Sequence, residues 1–160
     1  MKEQRPEPHL PVALALLRDN ELAIAALYAE YATLFPAQAG FWLGLVEEER
    51  QHATWIEDLG HGMSNSLTTS GPRFTPAAIE SFTRYVREQS KLAREKQVSS
   101  MAALTTSYYI ETALIERQFF EQLPTRDPAV AWVMSELKRS TGQHQSKVKG
   151  ALHQGRSGGF

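Results

Sequence analysis

The chain has 160 residues, of which 42% are hydrophobic and 22% charged, and its formal net charge at pH 7 is −1. This size and composition predict one soluble domain with a core of its own. The balanced charge argues against nucleic-acid binding, which needs a strong excess of basic residues on one face. The sequence contains no cysteine, which excludes disulfides, thiolate zinc sites, iron–sulfur clusters and cysteine nucleophiles. A transition metal would need histidine and carboxylate ligands.

The sequence shows no sign of membrane insertion or export. No stretch approaches the roughly 20 uninterrupted apolar residues of a membrane-spanning helix. The short apolar patch at residues 10–17 is followed at once by charged residues, without the small-residue pattern of a cleaved signal peptide. We therefore expect a cytoplasmic protein with no membrane partner.

Apolar residues recur at spacings of three and four along most of the chain, which predicts helices, whereas strand patterns are nearly absent. No glycine lies between Gly71 and Gly142, and this favours long helices because a glycine in a helix interior costs about 1 kcal/mol. Proline and capping residues indicate where the helices begin and end. The predicted helices cover residues 11–34, 37–59, 76–96, 99–122 and 128–152.

The long connection between the second and fourth predicted helices indicates the topology. It contains a helix of about 21 residues, which at 1.5 Å per residue spans roughly 31 Å. This length would carry the chain from one end of a bundle back to the other. We predict an all-α four-helix bundle with one long crossover connection carrying an extra helix, in which the first helix pairs with the second and the fourth with the fifth. We interpret residues 1–10 as an N-terminal extension, 11–152 as the bundle and 153–160 as a disordered tail.

The first two predicted helices place two acids and a histidine together. Glu49 and His52 are three residues apart and share a helix face, although such a pair alone is common on surface helices. Glu21 lies within the apolar stripe of the first helix, where an unpaired charge is costly. Glu21 precedes the predicted end of its helix by 13 residues and Glu49 follows the start of the next by 12. In an antiparallel hairpin the two acids therefore lie at one level.

The last two predicted helices repeat this arrangement. Glu111 interrupts the most apolar face of the fourth helix, and His144 lies in the fifth. The separation between Glu21 and His52 is 31 residues and that between Glu111 and His144 is 33. Each hairpin therefore directs an acid and a histidine to the middle of the bundle.

These residues lie in the segments NELAIAALYAEYA, FWLGLVEEERQHATWIEDL, SYYIETALIE and STGQHQSKV. Together the segments resemble the rubrerythrin-like branch of the ferritin-like di-iron carboxylate proteins, over roughly residues 12–152. The resemblance implies a ferritin-like bundle that binds iron. By this resemblance, Glu21 and Glu111 are terminal carboxylate ligands of the iron, and Glu49 is a bridging carboxylate. The two imidazole ligands are His52 and His144.

The sequence departs from the family pattern at one ligand position. Three residues before His144, where the family has a second glutamate of the Glu-x-x-His type, this chain has Thr141. A neutral hydroxyl is a poor iron ligand beside a carboxylate. Three carboxylates would leave one positive charge of two divalent ions uncompensated. An exogenous bridging anion, a weak second position, or binding of a single metal ion would each account for this.

The resemblance implies a di-iron oxidoreductase that oxidises ferrous iron or reduces peroxide or dioxygen by two electrons. Full-length rubrerythrins carry an additional iron domain held by four cysteines, so a chain without cysteine would need a separate electron donor. The family also suggests a homodimer formed through the crossover region. Thr141 motivates an alternative: a metal-free or single-metal helical module for binding or assembly, with a decayed site. Iron storage inside a hollow oligomer is a third hypothesis.

The remaining aromatic and charged residues have simpler interpretations. The tyrosines near the acids are donors to metal ligands, radical-forming neighbours of a metal site, or ordinary tyrosines whose hydroxyls are satisfied at the core edge; they are Tyr28 and Tyr108. The tryptophans are expected to pack in the core and at the hairpin ends; they are Trp42, Trp55 and Trp132. The charged residues around Glu49 are interpreted as a solvated helix face; they are Glu47, Glu48 and Arg50.

Overall fold

The computed structural model describes residues 10–62, 76–116 and 127–160. These residues contain no strand and form five α-helices: α1 (Leu10–Leu34), α2 (Ala39–Gly62), α3 (Pro76–Arg94), α4 (Ser100–Glu116) and α5 (Pro128–Arg156). A single 3₁₀ turn, Pro36–Gln38, connects α1 to α2. The all-α prediction is confirmed. The extension before Leu10 and the expected continuation of the fourth helix to residue 122 lie outside the described residues.

Local capping explains where the helices of the second half begin. The Asp127 carboxylate accepts a hydrogen bond from the backbone N–H of Ala129 at 2.9 Å, and Pro128 occupies the first turn of α5. Proline fits there because the first helical N–H has no partner within the helix. At α4 the Ser99 hydroxyl accepts from the backbone N–H of Ala102 at 3.1 Å. The start of the last helix at residue 128, predicted from a capping residue followed by proline, is confirmed.

The C-terminal end of the chain differs from the predicted disordered tail. Helix α5 continues to Arg156, four residues past the predicted end. The backbone N–H of Gly159 then donates to the carbonyl of Gln154 at 2.8 Å. The ring of Phe160 contacts that of Phe41 at a centroid distance of 5.3 Å. The tail is ordered by this apolar contact, which composition alone does not reveal.

The helices pack in the predicted pairs. Helix α1 packs against α2 and α3, α4 packs against α5, and α2 contacts α5. The crossover helix α3 is held beside α1 in part by a buried hydrogen bond in which the Asn20 amide donates to the Thr83 hydroxyl at 2.9 Å. Within the described ranges, none of the helices combines the length and apolarity needed to cross a membrane. This packing directs side chains of α1, α2, α4 and α5 into one buried cluster.

Candidate metal centre

The structure brings together all five residues that the sequence predicts as metal ligands. Each is at most 1% exposed. Their ligand atoms form two groups, and within each group all of them lie within 4.8 Å of one another. The first half-site consists of Glu21, Glu49 and His52, and the second half-site of Glu49, Glu111 and His144. Glu49 belongs to both half-sites.

Helical periodicity explains how these polar residues reach the core. On α1, Glu21 lies three residues before Ile24 and seven before Tyr28, both fully buried, so it faces the same way. On α4, Glu111 follows Leu104 by seven residues and is likewise buried. The apolar neighbours drive these helix faces inward, and the acids are buried with them.

Both imidazoles present the same nitrogen to the carboxylates. His52 Nδ1 lies 3.1 Å from Glu49 Oε2 and 3.3 Å from Glu21 Oε2. His144 Nδ1 lies 2.7 Å from Glu49 Oε1 and 3.8 Å from Glu111 Oε1. The two rings stack, with centroids 5.3 Å apart and planes inclined by 18°. Two nitrogens and the oxygens of three carboxylates therefore converge between four helices.

The outward nitrogens of the two histidines have different partners. His52 Nε2 lies 2.7 Å from the Ser140 hydroxyl, whereas His144 Nε2 contacts the carboxylate of Glu48. Glu48 also accepts from Lys147 Nζ at 2.7 Å. Such outer hydrogen bonds fix the tautomer and orientation of an imidazole whose other nitrogen binds a metal.

The structure corrects the interpretation of Glu48 as part of a solvated face. Its carboxylate is only partly exposed and bridges His144 and Lys147, both on α5. The neighbouring Glu47 does face solvent, where it pairs with Arg50 at 3.1 Å. No sequence pattern separates these two adjacent glutamates, because the difference arises from the packing of α2 on α5.

Tyr28 resolves one of the alternatives left open by the sequence. Its buried hydroxyl donates a hydrogen bond to Glu111 Oε1 at 2.6 Å, so it is a donor to a predicted ligand. Tyr108 is half-buried and packs against the apolar core. The two tyrosines therefore differ in role, and only Tyr28 has a contact with the cluster among the described residues.

Thr141 does not replace the missing carboxylate. Its side chain is buried, and its hydroxyl donates to the carbonyl of Leu137 in the preceding turn of α5 at 2.8 Å. The hydroxyl is therefore satisfied by its own helix. The cluster therefore has five side chains that could ligate a metal, rather than the six that the resemblance implies.

Burial and mutual contacts shift the protonation of the cluster. Burial and then the charge of Glu49 raise the pKa of Glu21, and likewise that of Glu111, to about 8. Burial lowers the pKa of the histidines, but the adjacent carboxylates outweigh it and raise the pKa of His52 to about 10 and of His144 to about 9. Burial alone would raise the pKa of Glu49, but its contacts with His144 and His52 hold that pKa well below the usual range. Near pH 7 the metal-free cluster is therefore protonated except at Glu49.

Several buried atoms of the cluster have no hydrogen-bond partner. They are Glu21 Oε1, Glu49 Oε1, Glu111 Oε2 and His144 Nδ1. His144 Nδ1 and Glu49 Oε1 are 2.7 Å apart but are not aligned as donor and acceptor. Leaving buried polar atoms unpaired costs about 1–3 kcal/mol each. Once their protons are released, these converging nitrogen and oxygen atoms can coordinate a cation, so the residues present are suited to a metal.

The three tryptophans, for which core and hairpin-end packing is expected, differ in burial. Trp42 is fully buried, as predicted, beside Tyr28 and Tyr31. Trp132 instead exposes 56% of its surface. The exposed position of Trp132 on α5 could not be inferred from its spacing alone.

Comparison of the chain with protein-family models, with curated proteins and with solved structures finds no match. The function of the cluster must therefore be inferred from its own residues and geometry.

Proposed function

We propose that this chain binds two divalent metal ions, with iron as the metal, and that Glu49 bridges them. The observation that carries the proposal is the membership of Glu49 in two buried groups, each with its own histidine Nδ1 and its own second carboxylate. A carboxylate has two oxygens, so one side chain can serve both groups. We further propose that the four helices that supply these ligands form a ferritin-like bundle.

The ligand types are compatible with iron and with other transition metals such as zinc, and iron is proposed because of the resemblance carried by the sequence. Imidazole and carboxylate suit iron, whereas a site of carboxylates alone would suit magnesium or calcium. Bound iron would supply two one-electron oxidations, which match the oxidation of ferrous iron coupled to two-electron reduction of peroxide or dioxygen. The chain's own contribution is to hold the ligands: Ser140 and Glu48 orient the two imidazoles, and Tyr28 orients Glu111. The proposed class is a di-iron oxidoreductase.

The test is metal analysis after anaerobic loading with ferrous iron. We expect about two iron ions per chain in the parent protein, because the ligands form two groups. Glu49→Gln should abolish binding at both half-sites, since it removes the shared charged ligand. Glu47→Gln is the matched control: it changes an exposed glutamate of the same helix and should bind iron normally. A parent protein with far less than one iron per chain would overturn the proposal.

A second candidate function is a helical module that holds one metal or none. It is favoured by the Thr141 hydroxyl, which is bound to its own helix, and by the charges of the metal-free cluster. Near pH 7 two protonated histidines balance Glu49 and Glu48, so the fold can exist without metal.

Thr141→Glu discriminates between the two candidates. If the cluster is a working metal centre that lacks one ligand, the added carboxylate should increase the iron affinity of the second half-site while the stoichiometry stays at about two. A parent that binds one iron or none, together with an iron content and affinity that Thr141→Glu leaves unchanged, would favour a decayed site. Circular dichroism of the variant checks that the buried substitution preserves the helices.

A further inference from the structure

A continuous series of aromatic rings connects the metal-ligand cluster with the protein surface. The rings of His144 and His52 stack at 5.3 Å, and His52 stacks on Trp55 at 5.8 Å with planes inclined by 28°. Trp55 contacts Trp132 edge to face at 6.1 Å. The exposed Trp132 ends the series at the surface.

The contact between the two tryptophans requires both hairpins. His52 and Trp55 are three residues apart on α2 and so share a helix face. Trp132 comes from the first turns of α5 and lies over Trp55 because α2 and α5 are in contact. Large aromatic residues are usually buried for most of their surface. The indole of Trp132 is unusual because it is more than half exposed while it contacts Trp55, the neighbour of the predicted ligand His52.

A second aromatic cluster near the ligands does not have this form. Tyr28, which is bonded to Glu111, contacts Trp42 at 5.7 Å, and Trp42 contacts Tyr31 at 4.9 Å. All three side chains are fully buried. Their packing accounts for the core between α1 and α2, whereas the rings from His52 to Trp132 lead outward.

We propose that Trp55 and Trp132 conduct single electrons from the surface to the metal centre, with Trp132 as the entry point. This inference rests on the proposed function. Tryptophan is among the side chains most readily oxidised by one electron, and neighbouring rings in contact favour short transfer steps. Trp132 is exposed, so its indole proton can pass directly to water when the ring is oxidised.

The electrons and protons balance as follows. Reduction of one peroxide to two waters consumes two electrons and two protons. Each electron leaves Trp55 for the metal centre and is replaced from Trp132, which releases its indole proton to solvent. A one-electron reductant in solution, such as ascorbate, returns an electron to Trp132, and water returns the proton. Two such cycles supply both electrons, and the net change is oxidation of the reductant and reduction of peroxide.

The test locates oxidative damage by peptide mass spectrometry. Protein loaded anaerobically with ferrous iron receives hydrogen peroxide in excess over the iron and without a reductant, so that further peroxide must draw electrons from the protein after the ferrous ions are oxidised. Zinc-loaded protein is treated identically because zinc does not change oxidation state. We expect oxidised Trp132 to be several-fold more abundant with iron than with zinc. Tyr109 provides an internal control: it is 49% exposed and contacts Tyr85 rather than the cluster, so its oxidation should not depend on iron.

Two variants test the path itself. Trp55→Phe retains an aromatic ring but removes the readily oxidised indole, so iron-dependent oxidation of Trp132 should fall to the zinc level while bound iron is retained. Trp132→Phe changes an exposed residue and should leave folding and iron content unchanged. In that variant an organic radical detected by electron paramagnetic resonance should persist longer, and ascorbate should remove it more slowly than in the parent.

The outcomes separate the inference from the proposed function. If the parent binds no iron, both fail together. If iron binds but Trp132 is oxidised equally with zinc, or equally in Trp55→Phe, the electron path alone is wrong. If Trp55→Phe loses its iron, the proposal is tested instead by the lifetime of the organic radical in Trp132→Phe. A radical lifetime equal to that of the parent protein would overturn the proposed electron path.

Discussion

The two half-sites share Glu49 but hold their histidines in different ways. In the first half-site the outward nitrogen of His52 faces a neutral hydroxyl, that of Ser140. In the second, the outward nitrogen of His144 faces the carboxylate of Glu48. A carboxylate behind an imidazole stabilises the positive charge that the ring gains when it binds a metal, more than a neutral hydroxyl does. The second half-site therefore has a charged partner behind its histidine, and the first has a neutral one.

If the cluster binds two metal ions as proposed, this difference would compensate for the carboxylate that is absent at Thr141. Glu21, Glu49 and Glu111 provide three negative charges against the four positive charges of two divalent ions. Glu48 provides a fourth, although it acts through His144 rather than by contact with the metal. The charge absent from position 141 on α5 is thus present on α2, on the same side of the cluster as His144. Charge balance across a metal centre does not require every charge to come from a ligand.

The largest expected effect is the loss of one metal ion when one half-site is removed. Glu21→Gln should empty the first half-site and Glu111→Gln the second, each leaving about one iron per chain. Glutamine resembles the protonated acid in size and charge, and both acids hold a proton near pH 7 in the metal-free protein because burial and Glu49 raise their pKa to about 8. Metal analysis after anaerobic loading measures the stoichiometry, and unfolding by denaturant should be little changed.

The same pair of variants can break the comparison. If either substitution removes both ions, the half-sites are not separable and bind metal as one unit. Glu47→Gln again serves as the control, since it changes a glutamate to glutamine on the exposed face.

The second prediction concerns opposite pH dependences with and without metal. In the metal-free protein, the raised pKa values of Glu21 and Glu111 contribute stability that is complete below about pH 4.5 and lost as pH rises through 8. The two histidines likewise contribute stability that is complete below about pH 6.5. This contribution is lost as the pH rises through about 9 for His144 and about 10 for His52. The metal-free protein should therefore become less stable from about pH 6 to 9.

Metal binding should show the reverse slope, because a metal must displace these protons. Each proton released makes the affinity rise about tenfold per pH unit. Zinc-dependent stabilisation, measured by thermal unfolding with and without a chelator, should increase over the pH range in which the metal-free protein weakens. Because the pKa of His52 exceeds that of His144, the first half-site should continue to gain affinity to the higher pH. Metal-free stability that rises with pH in this range would contradict the assignment of protons.

The third prediction compares the groups behind the two histidines. Glu48→Gln should weaken the second half-site by roughly 10–100-fold, the usual effect of removing a partner of a metal-bound histidine. Ser140→Ala should weaken the first half-site less, because it removes a neutral partner. Calorimetric titration with zinc, which avoids oxidation, resolves the two affinities. Equal losses in both variants would show that the charge of Glu48 has no special effect.

Residues within one helix, or at a countable distance from a short connection, could be predicted from the sequence. Glu21 stood out as an acid in an apolar stripe, and Glu49 and His52 as a pair on one helix face. The short turn Pro36–Gln38 fixed the level of Glu21 against Glu49. These positions follow from the geometry of the α-helix, which rises 1.5 Å per residue and has 3.6 residues per turn, so they need no tertiary information.

Contacts between α2 and α5 could not be predicted in this way. The partners of Glu48, the approach of Ser140 to His52 and the position of Trp132 over Trp55 all depend on how these two helices pack. The helices are far apart in sequence, and no short connection sets their relative level. A solvated helix face is therefore the natural expectation for Glu48, and the packing of α2 on α5 overturns it. The exposure of Trp132 could not be predicted for the same reason.

The smallest expected effect tests whether Thr141 has any part in the second half-site. Thr141→Val keeps the size and branching of the side chain but removes the hydroxyl, which donates to the Leu137 carbonyl. Because a carbonyl in a helix interior also accepts the backbone N–H four residues on, the loss should be below about 1 kcal/mol in the free energy of unfolding. Iron stoichiometry should not change, in contrast to Glu48→Gln. Loss of iron from Thr141→Val would mean that the hydroxyl turns towards the metal on binding, and the charge from Glu48 would then not be the whole compensation for the missing carboxylate.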